Sequence, residues 1–296
     1  VSADDWLSPK PLEPGDTVRV IAPSGPFDSR LVWRGLGWLS ERYEVRFDRG
    51  MFASRGYLAG DDERRARELD AALVEPGVHA VLCARGGYGA SRFVHRLDWS
   101  ALRRNPRWIV GFSDVTALHV EAARQRVASV HGPNVTALGQ SHAVVREAFV
   151  EALEAPHRPR RYEGLDVLAE GVAEGTLHGG NLTLLHACAA GRRLRLPSGT
   201  ILFLEDVTER PYRIDRMLAS LVAGGHFDDV NAFVLGDFTD CGPGRDGVSV
   251  LDVVRDVLLP LGKPVVSGIP CGHGLVNEPL VLGRFARLRR DALELG

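Results

Sequence analysis

Residues 108–116 read Trp108-Ile109-Val110-Gly111-Phe112-Ser113-Asp114-Val115-Thr116. A short apolar run, long enough for a strand of 108–111, stops at a glycine, and a serine and an aspartate lead into a helix over 115–126. The same order recurs on the upstream side. Residues 80–84 read as a buried strand running into Arg85-Gly86-Gly87-Tyr88-Gly89, and residues 17–22 as a first strand ending at Pro23-Ser24-Gly25. Between them, 30–42 and 61–73 read as helices, the second charged and amphipathic, and 43–47 as a strand. Strands alternating with helices predict an α/β layer on a parallel sheet. Downstream, 141–170 is rich in Ala, Glu and Arg and carries Pro156 and Pro159, so it reads as one helix and then a connector. That sets an N-terminal domain at 1–140 and a C-terminal domain at 171–296. In the latter, 171–176, 200–204, 232–236, 264–267 and 280–282 read as shorter strands, with helices at 181–190, 212–223 and 250–259. No repeat or low-complexity tract interrupts the pattern.

At 296 residues the chain is longer than a typical single domain, and 45% hydrophobic with 25% charged residues is an ordinary globular balance. Disordered, collagenous and disulfide-stapled classes are excluded on that ground. A formal net charge of -2 gives no global positive field, so neither nucleic acid nor membrane is an expected partner. Lys10 and Lys263 are the only lysines and neither lies in a phosphate loop. Lys263, between Gly262 and Pro264, reads as part of a turn rather than as a Schiff-base lysine. Cys83, Cys188, Cys241 and Cys271 form no C-x-x-C pair, which points away from structural zinc and disulfides and toward a reducing cytoplasm. With no H-E-x-x-H or similar spacing, neither a metal nor another cofactor is expected. The opening VSADDWLSPKPLEPGD is acidic and proline-rich, unlike a signal peptide. It begins with Val1 rather than Met, and a removed leader stays compatible with it.

Ligands of open parallel sheets gather beyond the carboxyl ends of the strands, so polar residues directly after strand runs are the candidates. Ser113 stands on such a turn, where a serine is either an exposed nucleophile or, with Asp114, a helix cap. The Gly86-Gly87 stretch is either an amide-lined cradle for an anion or a plain turn. Ile201-Leu202-Phe203-Leu204-Glu205-Asp206 delivers two carboxylates, either as partners for a cation or as charges at a helix start. His273, between Gly272 and Gly274, has room to meet a substrate. His131 and His178 fit packing or turn roles better. Together these positions supply a hydroxyl, a carboxylate, an imidazole and a donor-rich loop, the inventory of serine acyl transfer.

The ordered motifs resemble the LD-carboxypeptidase family of serine peptidases, which spans muropeptide LD-carboxypeptidases and microcin C immunity-type hydrolases. They are Pro14-Gly15-Asp16, Ala22-Pro23-Ser24-Gly25, Arg85-Gly86-Gly87-Tyr88-Gly89, Gly111-Phe112-Ser113-Asp114, His131-Gly132-Pro133, Gly179-Gly180-Asn181-Leu182, Leu204-Glu205-Asp206 followed by Tyr212-Arg213-Ile214-Asp215-Arg216, and Gly272-His273-Gly274. The resemblance implies a flavodoxin-like N-terminal sheet layer carrying the nucleophile, a C-terminal β-rich domain with helices, and catalysis at the domain interface. It also implies a Ser113-Glu205-His273 triad. The oxyanion hole would draw on Gly86, Gly87 and the N–H of Asp114, each such donor being worth roughly 3 kcal/mol in the transition state. Arg85, Tyr88 and Asn181 are the expected substrate-binding residues, Arg85 for a terminal carboxylate. The implied substrate is a small peptide, a peptidoglycan tetrapeptide cut at its bond to terminal D-alanine during cytoplasmic wall recycling, and the implied assembly is a homodimer. The alternative is cleavage of an aminoacyl nucleotide toxin. Tyr162 is the sole aromatic residue between Glu151 and Leu185, and such a lack of a stacking platform favours the muropeptide.

Overall fold

A computed structural model describes residues 6–296 of the chain. They fall into two compact units, one of Trp6–Pro156 with Glu278–Val281 and one of His157–Asn277 with Leu282–Gly296.

The first unit runs β1 (Thr17–Ile21), α1 (Ser29–Ser40), β2 (Glu44–Phe47), α2 (Asp62–Val74), β3 (Val78–Cys83), α3 (Ser100–Arg104), β4 (Trp108–Gly111), α4 (Thr116–Arg124), β5 (Ser129–His131), α5 (Val135–Leu138) and α6 (Ala143–Glu154). Its strands lie in the order β2-β1-β3-β4-β5, all parallel, which is the expected flavodoxin-like arrangement. The strand Leu280–Leu282, expected in the C-terminal domain, instead extends this sheet beside β5. Three residues cannot show in sequence which sheet they complete.

Helix α1 forms because Asp28 accepts the Arg30 N–H at 2.8 Å, and Val32, Gly35, Leu36 and Leu39 make one buried stripe. That stripe packs with Val18, Val20, Trp108, Val110 and Phe149 in the core. Phe149, Ala152 and Leu153 bring α6 into the same core, and Leu12 N–H donates to the Leu153 carbonyl at 2.9 Å. The stretch read as connector therefore splits. Its helix belongs with the first unit, while its remainder forms two short strands of the second.

The second unit contains β6 (Arg160–Tyr162), β7 (Asp166–Ala169), β8 (Val172–Asn181), α7 (Leu182–Ala190), β9 (Thr200–Val207), α8 (Pro211–Ala223), β10 (Val230–Thr239), α9 (Val250–Val257) and β11 (Val265–Ser267). After Leu280–Leu282, which is β12, come β13 (Phe285–Arg289) and β14 (Ala292–Leu295). Eight strands lie in the order β6-β14-β13-β8-β9-β10-β11-β7. The middle four are parallel and the flanks antiparallel. Helices α7, α8 and α9 connect the parallel strands in turn and pack side by side.

Buried polar groups support the ends of the first sheet. On α4, His119 is fully buried with Nε2 2.9 Å from the Gly111 carbonyl and Nδ1 2.9 Å from Ser129 Oγ. A carbonyl only accepts, so Nε2 carries the proton and Nδ1 accepts from the serine hydroxyl. Burial pushes this histidine down to about 4 from an ordinary 6.5, against the opposing bond to Gly111. The unfolded chain thus binds a proton more readily than the folded one. The resulting stability is fully present above about pH 6.5 and is lost as pH falls through 4, a change of roughly 3 kcal/mol. Urea unfolding across that range is expected to show this slope, and His119→Asn to lack that part of it. An unchanged slope in the variant contradicts the assignment.

Candidate active site

In the first unit, β1 neighbours both β2 and β3, so the sheet order reverses between β1 and β3 and opens a crevice at their carboxyl ends. Two loops fill it and are bonded together. Gly25 N–H donates to the Gly86 carbonyl at 3.1 Å, and Ala84 N–H to that of Ile21 at 2.7 Å. Helix α2 braces the loop after β1 with its charges. Glu68 accepts from Ala22 N–H at 2.8 Å, while Arg64 and Arg65 donate to the carbonyls of Ala22 and Pro23 at 2.7 and 2.6 Å.

Ser113 follows β4 with φ at +66°, a left-handed conformation costing a non-glycine residue roughly 1–2 kcal/mol. No side chain caps α4 or the 3₁₀ turn Ser113–Val115 before it, so the capping alternative for Ser113 and Asp114 is gone. The Asp114 carboxylate instead accepts the Ala90 N–H at 2.8 Å, tying the Ser113 turn to the far end of the glycine loop. Burial raises this carboxyl above its ordinary range. Gly86 lies directly under the serine: a Cβ there would stand 2.7 Å from Ser113 Cβ and 3.0 Å from Oγ, closer than packing allows. The strand-turn-helix geometry, with a strained serine against a glycine loop, is that of a nucleophile elbow.

Arg85 and Tyr88 are exposed on that loop, and the Arg85 guanidinium donates to the Pro26 carbonyl. Tyr88, 47% exposed, meets Tyr57, 68% exposed, with ring centroids 5.8 Å apart. This aromatic pair was missed in sequence because its members lie 31 positions apart. It lies outside the stretch 151–185, where Tyr162 is the sole aromatic residue.

In the second unit, β9 carries Glu205 and Asp206 to opposite duties. His273 Nδ1 lies 2.7 Å from Glu205 Oε2, and Glu205 is fully buried. Burial pushes the Glu205 carboxyl up, against the opposing hydrogen bond from His273. Asp206 accepts from Thr183 N–H and Oγ1, both at 2.9 Å, and from Asn181 Nδ2 at 3.1 Å. It secures the start of α7, the role of a charge at a helix N-terminus. Asn181, expected at the substrate, is buried and caps the same helix, its Oδ1 accepting from Leu184 N–H at 3.2 Å. Sequence reading also missed Asp237, whose Oδ2 accepts from Gly274 N–H at 3.2 Å beside His273.

The remaining candidates have structural duties. Lys263 Nζ donates to the carbonyls of Phe227 and Asp228 at 2.6 and 2.7 Å. His131 and His178 are buried, and Asn134 caps α5. All four cysteines are buried, and none is in a disulfide. Among the described residues, no three His, Cys, Asp or Glu side chains gather as a metal-holding group, and no helix is long and apolar enough to cross a membrane.

A nucleophile elbow on a flavodoxin-like sheet and a buried carboxylate on an imidazole define the parts of a serine hydrolase. The chain belongs to the LD-carboxypeptidase family: the profiles of its N-terminal and C-terminal domains match residues 18–132 and 174–288. The murein tetrapeptide carboxypeptidase of Pseudomonas aeruginosa is 34% identical over 93% of this chain and 94% of its own. The crystal structure of the muramoyltetrapeptide carboxypeptidase from Oxalobacter formigenes is 30% identical, with a TM-score of 0.82 over 95% of this chain and 98% of that one. The microcin C7 self-immunity protein MccF, 23% identical, shares the fold at a TM-score of 0.88 over 98% of both chains.

Glu205→Gln tests the buried carboxylate through two separate readouts. Activity is expected to fall by about 10³- to 10⁴-fold, because an amide can hold the wrong imidazole tautomer. Stability is expected to move the other way. A folded-state value raised above the unfolded one penalises the wild type as pH rises past the ordinary carboxylate range, and glutamine carries no such charge. The variant's Tm relative to wild type should therefore grow between about pH 4 and pH 8. Melting curves showing the opposite trend would contradict the assigned direction.

Proposed function

We propose that the protein is a serine carboxypeptidase that hydrolyses the bond between an L-configured centre and a terminal D-alanine in peptidoglycan tetrapeptides, using Ser113, Glu205 and His273. The observation that carries this reading is Ser113 itself, held in a left-handed turn at the end of β4 with its side chain against Gly86. Such strain persists where surrounding structure enforces it and chemistry uses it. Relatives named as murein peptidases support the substrate class.

With Glu205 ionised, the carboxylate accepts from Nδ1–H, which leaves the lone pair on His273 Nε2. In the proposed reaction Ser113 Oγ attacks the scissile carbonyl carbon and its proton passes to Nε2. The N–H groups of Asp114 and the Gly86-Gly87 loop hold the oxyanion. Collapse breaks the C–N bond, and Nε2 returns the proton to the departing amine of D-alanine. Water then attacks the acyl-enzyme by the same route in reverse, releasing the shortened peptide and restoring the Ser113 hydroxyl. Arg85 would pair with the substrate's terminal carboxylate, because guanidinium binds carboxylate bidentately. The reading extends to a homodimer working in cytoplasmic wall recycling, as the family resemblance implies.

The Tyr57–Tyr88 pair favours a second reading, in which a nucleobase stacks beside the loop and an aminoacyl nucleotide amide is cut by the same triad. Incubating the protein with a muropeptide tetrapeptide and with an aminoacyl sulfamoyl adenylate, each followed by mass spectrometry, decides between them. Release of D-alanine at the higher kcat/KM is expected, with the C-terminally amidated tetrapeptide a poor substrate. Faster cleavage of the nucleotide substitutes the second reading. Ser113→Ala should retain no more than a trace of turnover on either, with its Tm near that of the wild type, and a variant that still turns over removes Ser113 as nucleophile.

A further inference from the structure

We propose that Asp237 is a positioning residue for His273, holding its loop from a second strand and placing a second negative charge beside the imidazolium that forms when His273 takes a proton. This rests on the serine-peptidase reading above.

Strand β10 runs beside β9 with Leu235 opposite Leu204 and Phe238 opposite Asp206. Two residues, Gly236 and Asp237, therefore stand opposite one, Glu205. Such a bulge breaks the alternation of a strand and re-aims a side chain. Here it turns Asp237 toward the loop that β9 addresses through Glu205. Asp237 N–H donates to the Cys271 carbonyl at 3.0 Å, and its Oδ2 accepts from Gly274 N–H at 3.2 Å. One residue thus clasps the loop on both sides of His273. Position 274 must be glycine for this, since a Cβ there would collide with Asp237 Oδ2. Asn277 adds a further tether, its Oδ1 accepting from Gly272 N–H at 3.2 Å.

Two carboxylates on adjacent strands act on the ring. Glu205, on β9, bonds Nδ1 directly. Asp237, on β10, is half-buried, interacts electrostatically with His273, and is pushed up by its burial against the opposing Gly274 bond. Asp206, the next acidic residue on β9, is occupied by Thr183 and Asn181. A negative charge near an imidazole in a partly solvated site favours its protonated form, which is the form the nucleophilic step creates.

Asp237→Asn keeps an oxygen for Gly274 N–H and removes the charge, while Asp237→Ala removes both. For Asp237→Asn, kcat is expected to fall about 5- to 20-fold with KM within about twofold, and the acid limb of kcat/KM to move roughly 0.5–1 pH unit lower. For Asp237→Ala the loss in kcat should exceed about 50-fold. NMR titration of the His273 ring without substrate should show the same downward move in Asp237→Asn. Wild-type kcat and an unmoved ring titration in that variant would overturn the proposal, as would a lowered Tm with no change in pH profile. Ser113→Ala in parallel separates the two failures. Retained turnover there sinks the serine-peptidase reading, while the ring titration still decides whether Asp237 acts on His273.

Discussion

The left-handed turn at Ser113 is the constraint around which the first unit is arranged. A serine at φ +66° costs free energy that nothing local to the turn returns, since the residue does not cap the following helix. The compensation comes from its surroundings. Below, His119 binds the Gly111 carbonyl at the end of β4; alongside, the Asp114 carboxylate takes the Ala90 N–H; against the side chain, Gly86 offers a face without a Cβ. The first two supports bring polar groups into the interior, where leaving them unpaired would carry a cost of its own. Turn and glycine loop are consequently one mechanical object. The relation of the Ser113 hydroxyl to the loop's N–H groups, which oxyanion chemistry requires, is fixed by residues that need not touch a substrate.

The second unit solves a different problem, the orientation of one imidazole. Adjacent carboxylates on a strand point to opposite faces, so Glu205 and Asp206 could not both face His273. The structure gives the histidine to Glu205 and the start of α7 to Asp206. A sequence with two consecutive acids leaves that choice open, and only the neighbours decide it. The bulge in β10 then supplies what the alternation withholds, a second carboxylate near the same loop.

Much of this was legible in the sequence, and the exceptions have physical causes. Long apolar runs such as 200–204 and the run at 108–111 announced their strands, and the motif order singled out Ser113, Glu205 and His273 as candidates. Strands β9 and β10 extend three residues past the expected ends because their tails still pair in the sheet, Asp206 with Phe238 and Val207 with Thr239. Short edge strands such as β6 and β7 carry little periodicity and owe their form to distant partners, β14 and β11. Helix α2 read as a charged amphipathic helix, and two of its charged residues, Arg65 and Glu68, are buried against the loop after β1. A charge pattern does not reveal whether a backbone is waiting to receive it.

The ionisable groups buried near the candidate site also explain why it is costly to build. Asp114 and Glu205 are pushed up by burial and His119 is pushed down, so in each case the fold disfavours the charged form. For His119 that preference suits its structural role, because the neutral ring with Nε2–H and a free Nδ1 lone pair matches one acceptor and one donor. For Glu205 the preference opposes the proposed role, which calls for an ionised carboxylate beside a ring that becomes positive. Its hydrogen bond to His273 acts against burial. A neutral residue at 205 would relieve the penalty and forfeit the pairing. The retained carboxylate is thus better explained by what it does to the imidazole than by what it adds to the fold.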